Sequence, residues 1–227
     1  MSPLSALAWP QAERLGARNV VLLVPVGATE QHGPHLPLST DTDIALALAE
    51  AAERARPDVV VAPAIGYGAS GEHAGFAGTL SIGQAAIEML LVELGRSASM
   101  TFARILLLST HGGNAEPVRR AVAGLRGEGR DVRAWGPRWD GDAHAGRLET
   151  SLMLAIAPSR VRLRAASPGA TDPIAELLPR LHLGGVRAVS ANGVLGDPAG
   201  ACADEGRALL RRAGTQLAQL LDAWPAA

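Results

Sequence analysis

The chain has 227 residues, with 21 basic and 22 acidic side chains and a net charge of −1, a length that fits one ordinary domain and a balance that leaves no footprint for nucleic acid or an anionic membrane. Hydrophobic residues make up 48% and charged residues 19%, which excludes a disordered chain, and no apolar run approaches the ~20 residues of a bilayer span. Cys202 is the single cysteine and cannot form an internal disulfide, and the amino terminus lacks the charged-then-apolar pattern of a secretory signal, so a cytoplasmic location is expected.

Taken in chain order, Val20 to Val26 is the first of four short, mostly apolar runs, followed by Val59 to Pro63, Ile105 to Leu108 and Val132 to Trp135. Each is bounded by Gly, Pro, Asp or Arg and reads as a buried strand of a parallel sheet. Between them, Thr42 to Arg56, Gly83 to Phe102 and Asn114 to Gly127 carry helical spacing. Further helices are predicted over Gly146 to Ala157, stopped by Pro158, and over Ala201 to Ala223, before Pro225. The stretch from Arg160 to Pro198 is less legible and suggests one strand near Val186 to Val189. Alternation of strands and helices means βαβ units and an α/β fold, in which sites form beyond the carboxyl ends of the strands.

The first strand runs into Gly27-Ala28-Thr29-Glu30-Gln31-His32-Gly33-Pro34-His35-Leu36-Pro37, with Asp41 and Asp43 close behind. Glu, His and Asp together suit Zn²⁺, Mn²⁺ or Fe²⁺ better than the all-oxygen cages of Ca²⁺. Glu30 and His32, at i and i+2 of an extended segment, point the same way, and Asp41 at the start of the next helix can swing back toward them. The same residues also fit a solvated loop with Asp41 as a helix N-cap. After the third strand, His111 precedes Gly112 and Gly113, which allow close backbone approach; it reads either as a ligand or as a capping histidine.

After the fourth strand, His144 lies just before a helix and Glu149 in its first turn, where the helix dipole favours a carboxylate and where it reads equally as a plain N-terminal helix Glu. Five residues at ~100° each would set them on different faces of a continuous helix, so separate roles are indicated: a metal ligand for Glu149 and a proton-transfer group for His144. The Gly-rich loop from Tyr67 to Leu80 reads either as a substrate-facing lip carrying His73 or as a surface loop with an incidental His. Tyr67, His73 and Asn114 are the substrate-facing candidates. No dinucleotide fingerprint follows the first strand, which ranks a nucleotide-binding protein low.

In order, Glu30 to Pro37, Asp41, Gly71-Glu72-His73 with Gly78-Thr79-Leu80-Ser81, His111-Gly112-Gly113-Asn114, and His144-Ala145-Gly146 with Glu149-Thr150-Ser151 resemble the creatininase (creatinine amidohydrolase) family. The wording of the Gly71-Glu72-His73 loop is most like its mycofactocin-system branch of peptidases. The resemblance implies a single domain, a three-layer αβα arrangement around a mostly parallel sheet, and a homo-oligomer, hexameric in many members. It also implies two divalent ions per subunit, zinc or iron, with manganese a further option. One would be held by Glu30, Asp41 and His111, the other by His32 and the bridging Asp41. Creatininase itself supplies a further Glu where this chain has Gly113, so Glu149 is the candidate substitute, and the departure argues against creatinine as substrate. The implied reaction is amide hydrolysis, in this branch releasing a modified Val-Tyr-derived dipeptide from the carboxyl end of a precursor peptide. Hydrolysis of creatinine or another small cyclic or formyl amide is the alternative within the family, and a non-catalytic metal- or peptide-binding protein the alternative outside it.

Overall fold

The computed structural model describes residues 3–224. Strands β1 (Val21–Val26), β2 (Val59–Val61), β3 (Arg104–Ser109) and β4 (Asp131–Trp135) form one sheet in the order β2-β1-β3-β4. All three pairings are parallel, with Val21 opposite both Val59 and Arg104, and Arg104 opposite Asp131. A parallel sheet is covered on both faces, which is why its inner strands read as unbroken apolar runs; every residue of β1 is buried.

Successive side chains leave a strand on opposite faces. Val21, Leu23, Leu106 and Leu108 therefore pack with Ile44, Leu48, Leu152 and Leu217, from helices α2 (Thr40–Ala55), α5 (Arg147–Ile156) and α7 (Ala203–Asp222). Leu22, Val24, Ile105 and Leu107 pack with Leu15, Ile87, Leu91 and Leu125 on the other face, from α1 (Trp9–Ala17), α3 (Gly83–Ala98) and α4 (Ala115–Gly127). The result is the expected α/β layering, with helix ends shifted by a few residues.

Three features differ from the sequence reading. Helix α1 is an addition, short enough at nine residues to hide its periodicity. So is α6 (Ile174–Gly184), whose interior Pro179 breaks the helical pattern. The strand expected near Val186 to Val189 is instead a 3-10 turn over Val186–Ala188. Gly185 reverses the chain immediately before it with φ 66°, and Val186 is buried with Leu177 and Leu195 in a small cluster of its own, away from the sheet. Pro225, the expected stop of the last helix, lies outside the described residues, where α7 has already ended at Asp222. Among those residues no helix is long and apolar enough to cross a membrane.

Candidate metal centre

The loops after the strands are tied to one another at the carboxyl edge of the sheet. The Gly27 N–H donates to the Ile65 carbonyl (2.9 Å), the Glu30 N–H to the Leu38 carbonyl (3.0 Å) and the Thr110 N–H to the Val26 carbonyl (3.3 Å). Gly27 has no side chain because the first turn of α2 crosses it: a Cβ there would stand 2.5 Å from the Thr42 Cα. That close crossing carries Asp41 back over the end of β1. Glu30, His32 and Asp41 are consequently almost wholly inaccessible to solvent.

Asp41 lies between two sets of donors. Its Oδ1 is 3.6 Å from His32 Nε2, which in turn is 3.8 Å from Glu149 Oε2. Its Oδ2 is 3.7 Å from His111 Nδ1, whose Nε2 is 3.2 Å from Glu30 Oε2. Glu30, Asp41 and His111 have donor atoms close enough to share one ion, as do His32, His144 and Glu149; Glu30, His73 and His144 form a third such group. Both Glu30 carboxylate oxygens, His32 Nε2 and Asp41 Oδ2 are buried and make no hydrogen bond among the described residues. Buried polar atoms without partners are costly and call for an explanation. Oxygen and imidazole nitrogen donors left open around a common space fit divalent first-row cations.

The electrostatics show the same demand for positive charge. Burial opposes protonation of His32, yet the carboxylates of Asp41, Glu149 and Glu30 outweigh it and push its pKa up to about 10. Burial, reinforced by the charge of Asp41, raises Glu30 to about 8. Burial lowers His144 well below its ordinary value, with His32 and His73 adding to the effect, and lowers His73 to about 3. The crowded carboxylates thus favour protons on His32 and Glu30, while burial favours the neutral form of His144.

Not every expected site residue lies where the sequence suggested. His73 is buried rather than on a lip, with Nε2 3.2 Å from Glu30 Oε1 and Nδ1 2.8 Å from the Gln31 side-chain nitrogen. Asn114 is buried too: its Oδ1 accepts from the Ala69 N–H and its Nδ2 donates to the Gly27 carbonyl, both at 2.9 Å, so it ties loops together. Tyr67 is half exposed on the Gly-rich loop. His144 and Glu149 do meet, because α5 begins only at Arg147 and Ala145, at φ 52°, turns the chain before it. The Ala145 N–H donates to Glu149 Oε2 (2.6 Å), fixing the carboxylate toward His32. Gly113 has no room for a side chain, since a Cβ would stand 2.1 Å from the Ala69 carbonyl oxygen and 2.5 Å from Glu72 Oε1.

Gln31 is the residue that the sequence reading passed over. Its side-chain nitrogen lies 2.8 Å from His73 Nδ1, 3.1 Å from His144 Nε2 and 3.0 Å from the Gly193 carbonyl, and its Oε1 accepts from the Gly33 N–H (2.9 Å). Its position between Glu30 and His32 was the available signal. A cleft of about 730 Å³ opens over the cluster, with Asp41, His111, His144 and Glu149 at its inner end; neither Tyr67 nor His73 lines it.

The creatininase (creatinine amidohydrolase) family profile matches residues 5–221. Over 227 aligned residues the chain is 50% identical to the mycofactocin precursor peptide peptidase of Mycolicibacterium smegmatis, covering 97% of this chain and 92% of that protein. It is 31% identical over 213 residues to a creatinine amidohydrolase of Pseudomonas putida, covering 76% and 79%. Among solved structures, a manganese form of creatininase superposes with a TM-score of 0.81 at 25% identity, covering 98% of both chains. The chain belongs to the creatininase family and is an amidohydrolase.

Proposed function

We propose that this chain is a cytoplasmic two-metal peptidase that cleaves a precursor peptide near its carboxyl end; the name of its Mycolicibacterium smegmatis relative, a mycofactocin precursor peptide peptidase, supports the precursor-peptide substrate. The observation that carries the reading is Asp41, whose two oxygens face separate donor sets while the atoms around it lack partners. Glu30, Asp41 and His111 would hold one ion, and His32, Asp41 and Glu149 the other. Zinc, iron and manganese all suit these donors, and a creatininase of the same fold is described as a manganese form. When bound, such a pair supplies a water acidic enough to deprotonate near neutral pH and polarises the amide carbonyl.

The protein's own groups move the protons. His144 Nε2–H donates to the Gln31 carbonyl (2.8 Å), which leaves Nδ1 as the basic nitrogen, 4.0 Å from Glu30 Oε1 and turned toward the cluster. Kept neutral by burial, the His144 imidazole accepts the proton that the attacking water gives up and delivers it to the departing amine nitrogen. Water is consumed, the C–N bond breaks, and the products are a carboxylate on the longer segment and a free amine on the released one. Gln31 holds His144 through its backbone carbonyl and His73 through its side-chain nitrogen, and the Ala145 N–H aims Glu149. The released fragment is the modified Val-Tyr-derived dipeptide, and the enzyme works as a homo-oligomer.

The test is mass-spectrometric detection of cleavage of the modified precursor peptide by enzyme that is metal-replete, chelated or reloaded, with creatinine assayed alongside. Cleavage lost on chelation and restored by reloading, with creatinine hydrolysed at least a hundredfold less efficiently, is the expected result. Cleavage that persists without metal, or creatinine as the better substrate, overturns the proposal.

A further inference from the structure

We infer that the outer part of the cleft is a groove for an extended acidic peptide, seated along the free edge of β4 and selected by Arg126 and Arg133. The inference rests on the peptidase reading and specifies the segment that lies on the acyl side of the cleaved bond.

The cleft is much longer than a site for a small amide requires. From the metal cluster it runs outward between β4, through Arg133, Ala134 and Trp135, and the face of α4 that carries Val118, Val122 and Arg126. Among the described residues β4 is hydrogen-bonded only to β3, so its other side offers backbone groups unpaired by them to the groove. An open strand edge beside a catalytic cleft is suited to strand addition by a peptide, in which backbone hydrogen bonds give affinity and side-chain pockets give selection. The charge along the groove changes sign. Its inner end holds Asp41 and Glu149, whereas three arginines, at 119, 126 and 133, line the outer part.

Arg119 is engaged by Glu116 at 2.6 Å. Arg126 and Arg133 have no carboxylate partner among the described residues, and Arg133 is oriented by stacking over the Trp224 ring, 4.5 Å from its centroid. Two unpaired guanidinium groups flanking an open strand edge complement carboxylate side chains. The eleven helical steps from Ala115 to Arg126 span about 16 Å at ~1.5 Å per residue, which an extended peptide covers in about five residues. The groove therefore selects Asp or Glu within roughly the five residues that precede the cleaved bond. A short amide such as creatinine would leave it unused.

The experiment uses metal-replete enzyme and labelled synthetic decapeptides that differ only in the last five positions, which carry Asp and Glu, Asn and Gln, or Lys. Fluorescence anisotropy reads binding without requiring turnover. The acidic peptide should bind at least about tenfold more tightly than the amide version, equivalent to ~1.4 kcal/mol, with the gap closing as salt is raised. Arg126→Glu, an exposed substitution, should erase the preference. Adding Arg133→Glu should invert it in favour of the lysine peptide, and both variants should raise KM for the precursor with kcat within twofold. Equal binding of acidic and amide peptides by wild type, or an undiminished preference in Arg126→Glu, overturns the inference. So does a change of oligomeric mass in Arg126→Glu with peptide binding intact, which would make this edge a subunit contact. Charge-selective binding without any cleavage would retire the proposed reaction and leave the groove standing; cleavage without charge selection would do the reverse.

Discussion

Glu149→Gln isolates one side of the metal cluster with little disturbance to the fold. The amide is isosteric and its oxygen still accepts from the Ala145 N–H, so the start of α5 survives. What disappears is a negative charge 3.8 Å from His32 Nε2. With that separation as the length scale and an effective dielectric of about 20, a unit charge is worth about 4 kcal/mol; water reaching the partly exposed carboxylate lowers this to roughly 2. Affinity for the ion on the His32 side should therefore fall between roughly thirtyfold and almost a thousandfold. Elemental analysis after gel filtration should find two ions per wild-type chain and one per variant chain, since Glu30, Asp41 and His111 are untouched. Turnover should drop by at least about a hundredfold, beyond what loss of an outer-shell partner typically costs. In the chelated state the variant should melt no lower than wild type, because burial and the charge of Asp41 already disfavour the ionised form of Glu149. A variant that keeps both ions and its activity would refute the assignment of Glu149 as the substitute for the ligand missing at Gly113.

Three further outcomes follow from the same geometry. His144→Asn should retain both ions yet lose about 10²- to 10⁴-fold in kcat, the usual worth of a proton-transfer group; equal loss of metal and activity would make His144 a ligand instead. Gln31→Leu removes the partner of His73 Nδ1 and of the Gly193 carbonyl, so thermal unfolding should show a destabilisation of about 1–3 kcal/mol, and an unchanged melting temperature would contradict the role given to Gln31. Because His32 is held at about 10 and Glu30 at about 8 in the metal-free chain, both are largely protonated at pH 7. Metal binding must expel those protons, so affinity should rise with pH through the neutral range, and calorimetry in buffers of different ionisation enthalpy should find a net release of protons on metal loading. No buffer dependence would contradict this charge arrangement.

The sheet was legible because a parallel sheet demands continuous apolar strands, and the four runs from Val20 to Trp135 supplied them. The clustering was legible because the loop after β1, the first turn of α2 and the loop after β3 concentrate Glu30, His32, Asp41 and His111 where such sheets place their sites. Features set by three-dimensional closure were harder to read. His73 looked like a loop residue because its burial depends on Gln31 and Glu30 closing around it. Asn114 looked available to substrate because its two backbone partners come from distant loops. The meeting of His144 with Glu149 required a backbone turn at Ala145 that helical geometry does not contain. Helix α6 was obscured by its own Pro179 and held by a small cluster that involves Leu177 and Leu195.

Anomalous diffraction recorded on either side of the metal absorption edges shows directly whether Asp41 would be shared between two cations. Two peaks are expected, one beside Asp41, His32 and Glu149, the other beside Asp41, Glu30 and His111. A single peak, or peaks that leave Asp41 uncoordinated in catalytically active crystals, would contradict that sharing.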